Sequence, residues 1–437
     1  MIEGLKPYGK YKKSGQEWLG DVPEHWDVRR TKLILRELDA RSTTGKEQLL
    51  RVSQYTGVTQ RKSSDGSESP DTRAASLVGY KQVSVNDLVI NIMLAWNGSL
   101  GVSRYEGIAS PAYCVYRFNN NLLPWYFHQM LRLPLYKGRI KAASTGVVES
   151  RLRLYSDALG CIEALIPPSQ EQIAIVQFLD YVNRKIDSFI LAKRNELTLI
   201  SEMLMTVTQQ AMALADARNI RLSAAAEVIS RPIDRHVTKN YTRLGLYNRG
   251  RGIFHKPVTS SAELGASDFF WVEEGDLVIS GQFAWEGAVA LARSKDSGCV
   301  VSHRYPILRG RKDIVSSSVL LAILRTKYGA LLLDHHSRGA AGRNRPLNAN
   351  AFFKEKLFIP PVSAQARIVE LLDREYSISQ SVANSIRLLN EYRTRLTSDI
   401  VTGRLDVRGA TAILQEVADD PIDLSDEVDF TDEEIDA

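Results

Sequence analysis

Two segments of the chain carry apolar residues in steps of three and four over some forty positions. The first stripe runs through Val176, Leu179, Asn183, Ile186, Ile190, Lys193, Leu197, Ile200, Leu204, Val207 and Ala211. The second runs through Ile368, Leu371, Ile378, Val382, Leu389, Tyr392 and Leu396, with Glu375 and Ser385 filling gaps. A 3.5-residue repeat is the coiled-coil period. Each segment predicts a helix of ~40 residues, or ~60 Å at 1.5 Å per residue. Neither contains Gly or Pro until Gly403 closes the second. Narrow stripes of this length need a partner, and the chain supplies two, so an antiparallel pair is expected. Asn183 and Lys193 are polar seam positions that would help fix its register.

Each stripe follows the same joint. "LIPPSQEQIAIVQFLD" (165–180) returns as "FIPPVSAQARIVELLD" (358–373), 193 positions later. A residue before proline is pushed toward extended geometry, and proline donates nothing to a sheet ladder, so a strand ends here. Ser169 then reads as an N-cap with Gln172 completing a capping box. In the second copy Ser363 reads as the cap, with Ala366 at the box position and the reciprocal bond lost.

The repeat extends upstream. "NDLVINIMLAWNGSLGVSRY" (86–105) resembles "GDLVISGQFAWEGAVALARS" (275–294), pairing Asp87 with Asp276 and Trp96 with Trp285. "STGVVESRLRLY" (144–155) aligns with "SRGAAGRNRPLN" (337–348), and "RVSQYTGV" (51–58) loosely with "RLGLYNRG" (243–250). "YKQVSVNDLVI" and "FWVEEGDLVIS" alternate like strands. "NLLPWYFHQMLRLPLYKGRI" and "SSVLLAILRTKYGALLLDHH" read as short helices. A period near 190 residues is a tandem duplication. The expected fold is α+β with an internal pseudo-two-fold repeat. A globular unit at 1–165 precedes a long helix at 166–215. A second unit at 216–358 and a second long helix at 359–408 follow, and then a tail at 409–437.

Charge changes the picture. The formal net charge is +5, but the eleven acids from Glu416 to Asp436 face no Lys or Arg beyond residue 408. Without them 56 basic residues stand against 40 acidic ones, so residues 1–408 carry +16. A body this basic suits a polyanion, and duplex DNA fits two similar faces on a rigid spacer. The tail reads as disordered and solubilising; covering the basic cleft or binding a partner are its other readings. Cys114, Cys161 and Cys299 are odd in number and form no CxxC pair, which argues against a disulfide framework and fits a reduced, cytoplasmic setting. No stretch has the apolar length of a membrane span, and the first residues carry no apolar secretory core.

The paired joints, the "GDLVI…W.G" blocks, the closing "DIVTGRLDVR" (399–408) and the opening "SGQEWLGDVPEHWDVRRTKLI" (14–34) together resemble the specificity subunit of type I restriction-modification systems. The resemblance covers residues 14–408; the acidic tail lies beyond it. It implies that each globular unit is a target-recognition domain reading one half of a split, asymmetric DNA site. The helices would set the gap and dock two methyltransferase subunits, which carry S-adenosylmethionine. Endonuclease/translocase subunits, with their ATP and magnesium, would complete the enzyme.

The residues agree with a non-catalytic role. No [ND]PP[FY] segment, GxGxxG loop or GxxxxGK[ST] phosphate loop occurs, so no cofactor is expected on this chain. Pro70-Asp71 is followed by no ExK, and the neighbours His335 and His336 read as packing residues rather than metal ligands. The alternatives are a fused type II restriction-methylation enzyme and a tethering scaffold for two non-DNA partners.

Candidate DNA contacts fall in loops that mix aromatics, amides, glycines and bases. In the first unit they are Tyr55, Thr56, Gln60, Arg61 and Lys62, then Arg139, Lys141, Ser144, Thr145, Arg151 and Arg153. In the second they are Tyr247, Asn248, Arg249, Arg251 and Lys256, then Arg338, Arg343, Asn344 and Arg345. The paired Trp96 and Trp285 read as core instead.

Overall fold

The computed structural model describes residues 5–61, 74, 76–119, 122–148, 151–234, 240–265, 267–339 and 345–411. Two compact units emerge, each mixing strands and helices. Among the described residues the first comprises 5–189 and 386–411, and the second 190–385. The long helices span Ser169–Met212 and Val362–Val401. Each is divided between the units, near Phe189 and near Ile386. No helix among the described residues is long and apolar enough to cross a membrane.

In the first unit a four-stranded antiparallel sheet runs in the order Leu35–Leu38, Tyr113–Phe118, Leu88–Asn91, Leu100–Val102. The alternating run ending in "DLVI" is not one strand. It splits into Lys81–Val83 and Leu88–Asn91 around a turn. Buried Asp87 makes that turn: its carboxylate accepts Ser84 N at 2.9 Å and takes Arg117 in two contacts of 2.8 and 2.9 Å. The apolar faces of Val89, Val115 and Ala109 close over the hairpin Leu50–Ser53/Gly57–Gln60 to form one core.

The opening and closing segments of the chain meet in this unit. Gly403, at φ +77°, ends the second long helix, and a Cβ there would strike Pro23 and Trp26. Asp406 N donates to Lys6 O at 2.8 Å. Buried Glu171, in the first turn of the first long helix, accepts Trp26 Nε1 at 2.7 Å and lies 2.7 Å from His25 Nε2 and 3.1 Å from Arg408 Nη1. The body continues past Arg408. Ala410 and Thr411 are buried in a further helical turn, and Thr411 Oγ1 donates to Ala174 O at 3.3 Å. Residues 409–411 are therefore body rather than tail, and the acidic residues from Glu416 onward lie outside the described residues.

The second unit has a matching antiparallel sheet, Ala226–Val228, Ile307–Gly310, Leu277–Ile279, Val289–Leu291. Asp276, fully buried, repeats the turn: it accepts Glu273 N at 2.9 Å and pairs with Arg231 at 2.7 Å and Arg309 at 2.8 Å. A second sheet orders Ile253–Ser260, Asn240–Leu246, Cys299–Ser302 and Phe269–Val272. The main core joins helix Ser317–Arg325 to Ile200, Leu204 and Ala211 of one long helix and Ile368, Leu371 and Leu372 of the other.

The joint before each long helix differs from the capping-box reading. The Gln172 carboxamide donates to Pro167 O and accepts Leu123 N, both at 2.8 Å. Gln365, not Ala366, holds the corresponding place: it donates to Pro360 O at 3.0 Å and Ile314 O at 2.8 Å. Both joints thus share the device. In each joint a buried amide satisfies the carbonyl of the first of the two prolines. Along the stripes, Leu179, Ile186, Ile190, Ile200, Leu204, Ile368, Leu371, Val382 and Leu396 are buried. Val176, Leu197, Ile378 and Leu389 are half-buried, and Tyr392 is exposed. Glu375, on the stripe, is answered by Arg325 in two contacts of 2.6 and 2.7 Å.

Candidate nucleic-acid interface

In the first unit three chain segments converge. The tip of the hairpin at 54–57 is the first, the turn after the inner strand at Ala95–Asn97 the second. The third is the loop after helix Pro134–Ala143, where Thr145 and Arg153 form an antiparallel bridge. Leu154 N donates to Ile92 O at 2.9 Å, fixing that loop beside the turn. Lys141 lies over the Trp96 ring at 5.6 Å, so Trp96 is a half-buried platform rather than core. Tyr55, Thr56, Gln60, Arg61, Lys141, Thr145, Arg151 and Arg153 are exposed.

The hairpin reaches the turn through glycine. Gly57, at φ +77°, and Gly101 meet face to face, and a Cβ on Gly101 would come within 3.1 Å of Gly57 Cα. His128 packs against both and accepts Val102 N through Nδ1 at 3.1 Å. Burial, then the charges of Arg132 and Arg104, hold its pKa down to about 3, so the ring is neutral. Arg132 donates to Gln54 O, Tyr55 O, Gly98 O and Leu100 O at 2.9, 2.6, 3.2 and 2.7 Å.

Not every candidate joins this group. Arg139 is half-buried with its guanidinium 5.7 Å from the Trp18 ring, on the helix face away from Lys137 and Lys141. Ser144 spends its hydroxyl on Ile140 O at 2.8 Å, closing the helix. Lys62 lies outside the described residues.

The second unit repeats the convergence with different fastenings. Its loop is bound to the turn Ala284–Glu286 by main chain: Arg249 N donates to Glu286 O and Gly250 N to Gly287 O, both at 2.8 Å. The Asn248 amide donates to the Glu286 carboxylate. Arg251 stacks 5.4 Å from the Tyr247 ring, and Lys256 lies 5.9 Å from Phe254. The third loop is pinned by Leu347 N donating to Gly281 O at 2.8 Å. Arg345 covers Trp285 at 4.9 Å but is paired with Asp334 at 2.6 Å, so its charge is largely answered. Arg249 and Arg338 are exposed, while Arg343 and Asn344 lie outside the described residues.

Sequence reading found the loops and missed the side chains that hold them. His128 within the helix Pro124–Leu131 and Arg132 at its end were not candidates. One signal existed: Leu131-Arg132 and Leu324-Arg325 are separated by the 193-residue offset of the joints.

No family model matches the sequence, and no curated protein matches it. Solved structures do. A chain from a structure of the type I R-M system, described for its complex assembly and conformational transition, is 15% identical with a TM-score of 0.56, over 87% of this chain and 98% of that one. The HsdS subunit from Thermoanaerobacter tengcongensis is 15% identical with a TM-score of 0.43, over 88% and 98%. The type I restriction-modification S subunit from M. genitalium is 12% identical with a TM-score of 0.42, over 87% and 96%. The first of these likenesses establishes a shared fold across nearly the whole described chain.

Proposed function

We propose that this chain is the DNA-specificity subunit of a type I restriction-modification enzyme, reading a bipartite, asymmetric site with one unit per half-site. The observation that carries this reading is the convergence, in each unit, of an aromatic- and amide-bearing loop, a tryptophan turn and a further loop that carries exposed arginine. Exposed Arg151 and Arg153 in one unit and Arg249 and Arg338 in the other suit phosphate oxygens. Tyr55, Thr56 and Asn248 are residue types that read base edges. The fold shared with a type I R-M chain supports the same conclusion.

The two long helices act as the spacer, an antiparallel coiled coil between the halves of a duplicated chain. Two contacts support that pairing, each inside one unit: Arg393 with Asp187 in the first, and Arg325 with Ser201 and Glu375 in the second. Methyltransferase subunits dock on the helices and endonuclease/translocase subunits complete the assembly. S-adenosylmethionine, ATP and magnesium belong to those partners, and this chain performs no chemistry of its own.

The test is selection from a randomised duplex library, using the chain with the subunits that co-purify. Two different short half-sites separated by a fixed unread gap are expected. Salt-sensitive binding with no enriched sequence would sink the reading and leave a basic tethering scaffold. Methyl transfer by the pure chain would point to a fused enzyme.

A further inference from the structure

The first unit holds a half-buried cation that, among the described residues, no carboxylate answers. Arg132 caps the helix Pro124–Leu131 at its C-terminal end, where the helix dipole favours positive charge. Its guanidinium is engaged by four carbonyl oxygens, two from the hairpin tip and two from the turn and strand beneath it. Burial pulls its pKa down to about 10, with no acidic neighbour raising it. Even a half-buried arginine without a counter-ion carries a desolvation cost, and its planar fork of five donors can serve two segments at once.

The arginine at the matching place in the second unit does something else. Arg325 is neutralised by Glu375 and also donates to Ser201 at 3.1 Å. There the reading loop is bonded to residues 286 and 287 through its own backbone, with the Asn248 amide on the Glu286 carboxylate beside it, and Arg325 gives its hydrogen bonds elsewhere. One unit fastens its loop by an arginine reaching in from a helix end, the other by the loop's own main chain and Asn248.

We infer that Arg132 is the positioning residue that sets the sequence preference of the first unit, by fixing the 54–57 tip against the 98–100 turn. Tyr55 and Thr56 then present one arrangement to the bases rather than many. This rests on the DNA-reading function proposed above. Lysine at 132 would keep the charge but has a point-like ammonium that cannot span four carbonyls. Arg132→Lys therefore separates charge from positioning.

The experiment compares wild type, Arg132→Lys and Arg325→Lys, each in its co-purified complex, by duplex selection and by amide hydrogen exchange. Arg132→Lys is expected to flatten the base preference of one half-site, while the other half-site and the gap persist. Exchange at residues 54–58 is expected to quicken tenfold or more, with amides of the second unit unchanged. The salt dependence of binding is expected to keep its slope, since no phosphate contact is lost. Arg325→Lys is expected to leave the half-site affected by Arg132→Lys intact. A lysine variant that keeps both half-sites sharp, or exchanges no faster at 54–58, overturns the inference. Equal loss at both half-sites also overturns it, marking Arg132 as a general fold residue. A wild type that enriches no sequence overturns the function itself, a failure distinguishable because it precedes any substitution.

Discussion

Arg249 is an arginine in a backbone conformation that suits glycine, at φ +59°. A Cβ in the left-handed region costs about 1–2 kcal/mol, and here the bond from Arg249 N to Glu286 O holds it in place. Arg249→Ala and Arg249→Gly both remove the guanidinium, but only alanine keeps the strained Cβ. Urea unfolding should therefore find the alanine variant about 1 kcal/mol less stable than the glycine one, while both weaken reading of one half-site only. His128 gives a pH dependence. Its folded pKa of about 3 lies below the ordinary 6.5 because burial and two arginines oppose the imidazolium. Between those values the unfolded chain takes up a proton that the folded chain refuses. Stability contributed by His128 is thus complete above about pH 6.5 and is lost as pH falls toward 3. Unfolding at pH 7 and pH 4.5 should show the first unit losing stability, and His128→Gln should flatten that slope. The converging loops were legible in the sequence from Tyr55, Thr56, Asn248 and Arg249. Arg132 and His128 were not, because their roles depend on which carbonyls and glycines fold over them.

At the scale of elements, the long helices were the most legible feature, since forty positions of one period leave little choice. Their joints were legible in place but not in mechanism. Gln172 has the spacing of a capping-box partner, yet a carboxamide has two ends, and the fold brings Pro167 O and Leu123 N to both. Gln172→Ala leaves those buried groups unpaired, at a cost of about 1–3 kcal/mol, which a shift of the urea midpoint would record. Gln365→Ala should cost a similar amount in the second unit, whereas Ala366 is replaceable with little effect. The strands were harder. Most have three or four residues, too few for alternation to show, and the run through Lys81–Asn91 concealed a turn made by one buried aspartate.

For the whole molecule, charge was legible and the division into units was not. Binding to duplex DNA should weaken steeply with salt, with a log–log slope of about −0.9 for each phosphate neutralised. Removing residues 412–437 leaves the buried Thr411 in place and tests the tail cleanly. Unchanged affinity for DNA is the expected result, and a rise of tenfold or more would assign the acidic residues a covering role. The sequence divides naturally at its joints, into globular segments and helices. The compact units ignore those joints: each long helix is divided between them, and the core of the second takes Ile200 and Leu204 from one helix and Ile368 and Leu371 from the other.

That division has a consequence for biogenesis. Among the described residues, those of the second unit all fall within 190–385, whereas the first draws on 5–189 and 386–411. A ribosome adding ~5–20 residues per second would take roughly 10–40 s to make the intervening stretch. Throughout that interval Trp26 and Glu171 wait for Gly403 and Arg408. The unit whose synthesis starts first is therefore the last to close, and its unfinished apolar surface is what a chaperone would meet on the nascent chain.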